Sequence, residues 1–166
     1  MKRLLLSSSL ILCFALLATA QERPSPPAEA KASVNGTSVT INYSQPAVKG
    51  RTIWGDLVPF DAVWRTGANE ATWIEISEDV TIEGKMLEAG KYGLFTIPGR
   101  DEWTIIFNKT WQQWGAYEYD SSKDALRVTV KPATVSDSSE RMTFNIDDNG
   151  TVDLLWDKLK VSFKIG

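Results

Sequence analysis

Along much of the chain, hydrophobic and polar positions alternate with the period of two that marks a strand buried on one face. The cleanest case closes the sequence. Leu159, Val161, Phe163 and Ile165 fall on one side, and Lys160, Ser162 and Lys164 on the other. Val39, Ile41 and Tyr43 alternate with Thr40 and Asn42, and Ile74 and Ile76 flank Glu75. Val80 and Ile82 run into Glu83-Gly84, and Lys91 to Ile97 leads through Pro98-Gly99 to Glu102 to Asn108. Leu126 to Val130, Met142 to Ile146 and Val152 to Trp156 complete the set. Asn35-Gly36, Glu83-Gly84 and Asn149-Gly150 are tight-turn signals. Runs this close together leave no room for crossover helices, so they predict antiparallel ladders. About nine short strands with frequent turns predict a single-domain all-β sandwich, immunoglobulin-like or jelly-roll-like.

Two stretches break the pattern. Lys49 to Thr72 is polar and glycine-punctuated, and carries Arg51, Trp54, Trp64, Arg65, Asn69 and Glu70. Lys109 to Lys123 carries Trp111, Trp114, Tyr117 and Tyr119. Long loops in a compact domain are more often functional than ornamental. At the other end, Met1-Lys2-Arg3, an apolar run and Ala18-Thr19-Ala20 read as a signal peptide over residues 1–20, cleaved before Gln21. The run is too short and too interrupted by serines to span a bilayer, so no stable membrane insertion is expected after cleavage. The product is expected to be exported, periplasmic or secreted. Residues 21–31 (QERPSPPAEAK) are Pro-rich and nearly free of large apolar side chains, and predict a flexible linker before a domain over 32–166.

Composition narrows the chemistry. The sequence has no histidine, and its one cysteine, Cys13, lies in the N-terminal apolar run. Ser-His-Asp and Cys-His catalysis are excluded, as are zinc, haem or copper sites of the usual His/Cys kind and an intramolecular disulfide. No cofactor or metal is expected. Asn145-Ile-Asp147-Asp148-Asn149-Gly150 has the start of a calcium loop, but the closing bidentate position falls on Trp156, so it reads as a hairpin turn. The net charge of −3 is spread without a basic block, which excludes an electrostatic nucleic-acid footprint.

Three strings carry a resemblance: KGRTIWGDLVPFDAVWRTGANEAT, LEAGKYGLFTIPGRDEWTIIFN and WGAYEYDSSKDALRV. They resemble the bacterial family called domain of unknown function 2911, with WRTGANEAT the most distinctive part. The resemblance covers most of the chain after the signal region and implies a small exported all-β domain with no assigned activity. It brings no catalytic residues. Glu88 stands where the family's hairpin often has proline.

Candidate ligand contacts are Arg51, Trp54, Arg65, Asn69 and Glu70 in the first loop and Trp114 and Tyr117 in the second. Arginines suit a carboxylate, a phosphate or an acidic sugar, and aromatic faces suit a sugar ring. The competing role for Arg65 is internal: pairing with Glu70, or capping carbonyls, with Gly67 supplying a left-handed or tight turn. The aromatic loop could equally close the open end of the sandwich. Tyr92 sits where a tyrosine corner would bond nearby backbone. Three functions remain open. One is a non-catalytic envelope module binding a small polar or saccharide ligand or an envelope protein. The others are a histidine-free hydrolase or lyase using Glu70 as general acid or base, and a purely structural domain.

Overall fold

A computed structural model describes residues 23–166, and the expected signal peptide lies outside them. The described residues form an all-β sandwich of ten strands: β1 (Pro27–Val34), β2 (Thr37–Ser44), β3 (Trp73–Ile76), β4 (Val80–Ile82), β5 (Lys85–Leu87), β6 (Gly90–Ile97), β7 (Trp103–Asn108), β8 (Asp124–Val130), β9 (Ala133–Ile146) and β10 (Thr151–Lys164). One layer is an antiparallel sheet in the order β1-β2-β3-β6-β7-β8. The facing layer is the long β9–β10 hairpin. It is extended on one side by the β4–β5 hairpin through an Ile82–Ile165 bridge, and on the other by Ala47 against Arg141. Among the described residues no helix is long and apolar enough to cross a membrane.

Alternation decides what meets between the layers. Ile41, Tyr43, Ile74, Leu94, Trp103, Ile105 and Phe107 point inward from the first sheet, against Phe144, Leu154, Trp156, Val161 and Phe163 of the second. Tyr43 packs edge-on to Phe144 with centroids 5.0 Å apart, and Phe107 to Phe163 at 5.9 Å. The Tyr43 hydroxyl also accepts the Phe144 amide at 3.1 Å, so that contact satisfies a buried donor. Tyr92 donates to the Glu88 carbonyl at 2.8 Å, the corner contact its position anticipated.

Two elements differ from the sequence pattern. The stretch 27–31, expected in the linker, forms the first half of β1. Its small apolar residues suffice because β1 is an edge strand: Ala30 is buried and Ala28 packs against the core, while the ladder to β2 supplies the hydrogen bonds. Proline is tolerated at such a strand's start. The polar run 133–141 is likewise strand, exposed along most of its length and held by pairing with β10 through two register shifts around Asp157. Residues 152–156 and 159–165, expected as separate strands, form one continuous β10 and its end.

The core centres on four indoles. Trp54 lies edge-on to Trp103, Trp156 and Trp64 at 5.1, 5.7 and 5.9 Å, and Trp64 stacks on Trp156 at 5.9 Å with 17° between planes. Trp103 and Trp156 come from opposite layers and are fully buried. Removing one such side chain leaves a cavity that its neighbours cannot fill. Trp156→Ala is expected to cost about 3–5 kcal/mol of unfolding free energy, read by urea denaturation. A loss under about 1 kcal/mol would mean the indoles are not packed as described.

Candidate functional site

The segment 64–72 is an excursion from the first sheet. Trp64 exchanges backbone hydrogen bonds with Thr96 of β6 at 2.8 and 3.0 Å, and Thr72 accepts from the Leu94 amide at 2.8 Å. Both ends therefore lie along β6, where β3 would otherwise continue, and residues 65–71 bulge away from it. The bulge is closed by Thr72 N to Arg65 O at 3.2 Å and by Thr72 Oγ1 donating to Thr66 O at 2.8 Å. Its outgoing limb pairs with the aromatic loop: Ala71 N donates to Gln113 O, Gly115 N to Asn69 O, and Glu70 bridges Trp114. The two loops are thus joined through their backbones.

The turn is made by residues other than the one the sequence indicated. Thr66 (φ 55°) and Asn69 (φ 59°) adopt the left-handed conformation, and Gly67 does not. A β-branched residue rarely tolerates that region, so surrounding contacts must hold Thr66 there. Its hydroxyl bonds Trp64 O at 3.3 Å and Thr96 Oγ1 at 3.1 Å. Gly67 serves close approach instead, because a Cβ there would lie 2.9 Å from Thr72 Oγ1 and 3.2 Å from Ser44 O.

Arg51, Arg65 and Asn69 come together around an open cleft of about 300 Å³ beside Trp64, Ser25 and Trp156. Arg51 is committed to backbone, donating from Nε to Val48 O at 3.1 Å and from Nη2 to Ala47 O. Asn69 Nδ2 donates to Ser25 O at 3.1 Å. Arg65 is different. Its Nε is shut off from solvent and has no hydrogen-bond partner among the described residues, and no carboxylate there pairs with it. Burial pushes its pKa below the ordinary arginine value, opposed by the electrostatic influence of Tyr117.

The expected Arg65–Glu70 pair is not formed. Glu70 turns to the other side of the bulge and accepts from Arg23 Nη1 on both oxygens at 3.1 Å. Its carboxyl is held below the usual range, first by its own backbone amide and then by Arg23, with slight burial opposing. Trp54 is turned into the indole cluster rather than towards the cleft. Trp114 and Tyr117 are exposed, 56% and 87%, and line neither the cleft nor the groove beside Glu70.

The aromatic loop does not close the end of the sandwich; it lies across the outer face of the six-stranded sheet. Phe95 and Ile106, which point outward, form a second small core with Ala71, flanked by Ala116 and Tyr119. Tyr119 donates to Asp124 and accepts from Arg127 Nη2 at 2.7 Å, tying the loop to β8. Burial raises the Tyr119 pKa, with Asp124 adding to the rise and Arg127 opposing it. Gly93 allows the loop to touch the sheet, since a Cβ there would meet Thr110 O at 3.0 Å. Trp73, not singled out from sequence, stands on this outer face with Trp111. The alternation of Ile74 and Ile76 with Glu75 was the available signal, since it puts Trp73 on the exposed side.

The fold and the joined loops define a small all-β domain with a surface recess on each side of the bulge. The chain belongs to the family described as protein of unknown function (DUF2911), whose model matches residues 25–165. No curated protein and no solved structure shows significant similarity to it.

The unpaired Arg65 sets the expected response to substitution. With no buried counter-charge left stranded, Arg65→Ala should keep stability within about 1 kcal/mol of wild type. Gly67→Ala should cost about 2 kcal/mol or more, because the added Cβ would press on the Thr72 hydroxyl and lie tight against Ser44 O. Urea denaturation of both variants checks the contrast. A loss of about 3 kcal/mol or more for Arg65→Ala would reveal an internal partner.

Proposed function

We propose that this chain is a non-catalytic binding module of the cell envelope, holding the oxyanion of a small polar ligand in the cleft at Arg65. The observation that carries the reading is the Arg65 guanidinium: partly desolvated, without a partner among the described residues, and set in an open recess. A cation partly withdrawn from water favours an anion beside it, and guanidinium geometry suits a carboxylate or phosphate group held by two parallel hydrogen bonds. Thr66 supports it as well. Its left-handed backbone is costly and is held by several contacts, as expected where a loop must keep a set shape. Loop 109–123 contributes by bracing the bulge from the far side. Export belongs to the same proposal and is supported by the pattern of residues 1–20.

The acid/base reading of Glu70 is less well supported. A group serving in proton transfer near neutral pH needs a raised pKa in a protected site. Glu70 is exposed, ion-paired and shifted in the opposite direction.

A thermal-shift comparison tests the proposal with uronic acids, sugar phosphates and muropeptides as probes. At about a hundredfold excess over Kd, a bound anion should raise the wild-type Tm by roughly 5–10 °C. Arg65→Ala should abolish the rise. Equal stabilisation of both proteins would place anion binding elsewhere, and no rise with any probe would contradict an oxyanion site at Arg65.

A further inference from the structure

On the other side of the bulge, a groove of about 400 Å³ crosses the outer face of the six-stranded sheet. We infer that this groove is a second binding site, separate from the Arg65 cleft, and that its ligand is a neutral carbohydrate.

The walls are aromatic. Trp73 rises from β3 and Trp111 from the aromatic loop, with centroids 6.2 Å apart and 66° between planes. The Lys91 ammonium fixes both indoles: it lies 3.3 Å from the Trp73 centroid, 4.3 Å from that of Trp111 and 3.7 Å from Glu75 Oε2. A cation against two rings and a carboxylate holds the corner in shape before any ligand arrives, which lowers the cost of binding. Lysine also occupies part of the aromatic surface, so the corner is not a vacant cage for an external cation.

The remaining groups select the ligand class. Asn42, Ser44, Gln112 and Gln113 line the groove with amides and a hydroxyl. Arg23 and Glu70, also in its lining, are paired with each other, so the groove offers no free charge to an ion. Gln113 is only 9% exposed. Its Nε2 donates to Thr110 O at 3.1 Å, while its buried Oε1 has no partner among the described residues. That acceptor wants a donor, and an apolar ligand would leave it stranded at a cost. An added peptide strand is not accommodated either, because β2 and β3 are interior strands with both edges paired. A polyhydroxylated ring meets every requirement. Its C–H face carries partial positive charge for the negative faces of the indoles, and its hydroxyls donate to and accept from amides. The volume lies within the range of small-molecule sites.

The seven tryptophans supply the test, since each indole N–H gives its own nitrogen–proton correlation signal. Isotope-labelled protein is titrated with cellotriose, maltotriose and chitotriose up to about 10 mM, enough to detect millimolar binding. The Trp73 and Trp111 signals are expected to move with at least one sugar, while those of Trp103 and Trp156 stay fixed. Gln113→Leu should weaken that binding about tenfold. Asn42→Ala, on the outward side of β2, gives a second reading should the first variant fold poorly. The inference is overturned if no sugar moves Trp73 and Trp111. It is equally overturned if a sugar moves only Trp64 and Trp156, because those border the Arg65 cleft. Neither result bears on anion binding by Arg65, which is read separately.

Discussion

Four indoles have to be buried together, and the rest of the structure follows from how that is done. Trp103 belongs to one layer and Trp156 to the other, while Trp54 and Trp64 come from the long loop between β2 and β3. The loop is therefore part of the core's wall rather than an appendage. Burial of rings this size supplies several kcal/mol, and edge-to-face pairs add about 0.5–1.5 kcal/mol each. Against that stands a cost. Among the described residues only Trp64 finds an acceptor, Gly67 O at 3.2 Å, while the N–H groups of Trp54, Trp103 and Trp156 have none. Edge-to-face packing sets electropositive ring edges against ring faces, which offsets part of the penalty. The Trp64–Gly67 bond also explains why the bulge begins where it does: the indole that enters the core holds the first turn of the segment that leaves it.

Anchored in this way, the bulge divides the surface. Arg65 and Asn69 face one recess, and Glu70 faces the other. The segment 23–26 runs between them, with Arg23 on Glu70, Ser25 O on Asn69, and Pro26 O accepting from the Gln45 amide. Arg65 is left without a carboxylate partner among the described residues, while the pairing of Glu70 with Arg23 removes net charge from the groove. One choice of partner thus gives the two recesses different chemistries.

The layers of the sandwich could be read from alternation because burial on one face writes a period of two into the sequence. β10 and the Asn35-Gly36 turn, where both residues have positive φ, show this most plainly. β1 escaped because alanines at an edge carry little hydrophobic signal, and the first half of β9 because both its faces are largely exposed. In the loops, Arg51, Arg65 and Asn69 do converge, but side-chain direction was not available from spacing. Nothing in the sequence distinguishes an indole used as a platform from one used as core, and the structure sets Trp54 among the other three indoles. Nor does it show which carboxylate an arginine meets. Arg23, 47 residues from Glu70 in sequence, takes the place expected for Arg65.

Native-state hydrogen exchange tests the central claim, that the loop carrying Trp54 and Trp64 is built into the core. The reporters are the amides of Trp64 and Thr96, which bond each other's carbonyls, and of Leu94, which bonds Thr72 O. If the loop is part of the core, these amides exchange only through global unfolding, with the same free energy as interior β7 amides such as Ile105. Exchange of the Trp64, Thr96 and Leu94 amides through a much cheaper local opening, while β7 stays protected, would contradict the account.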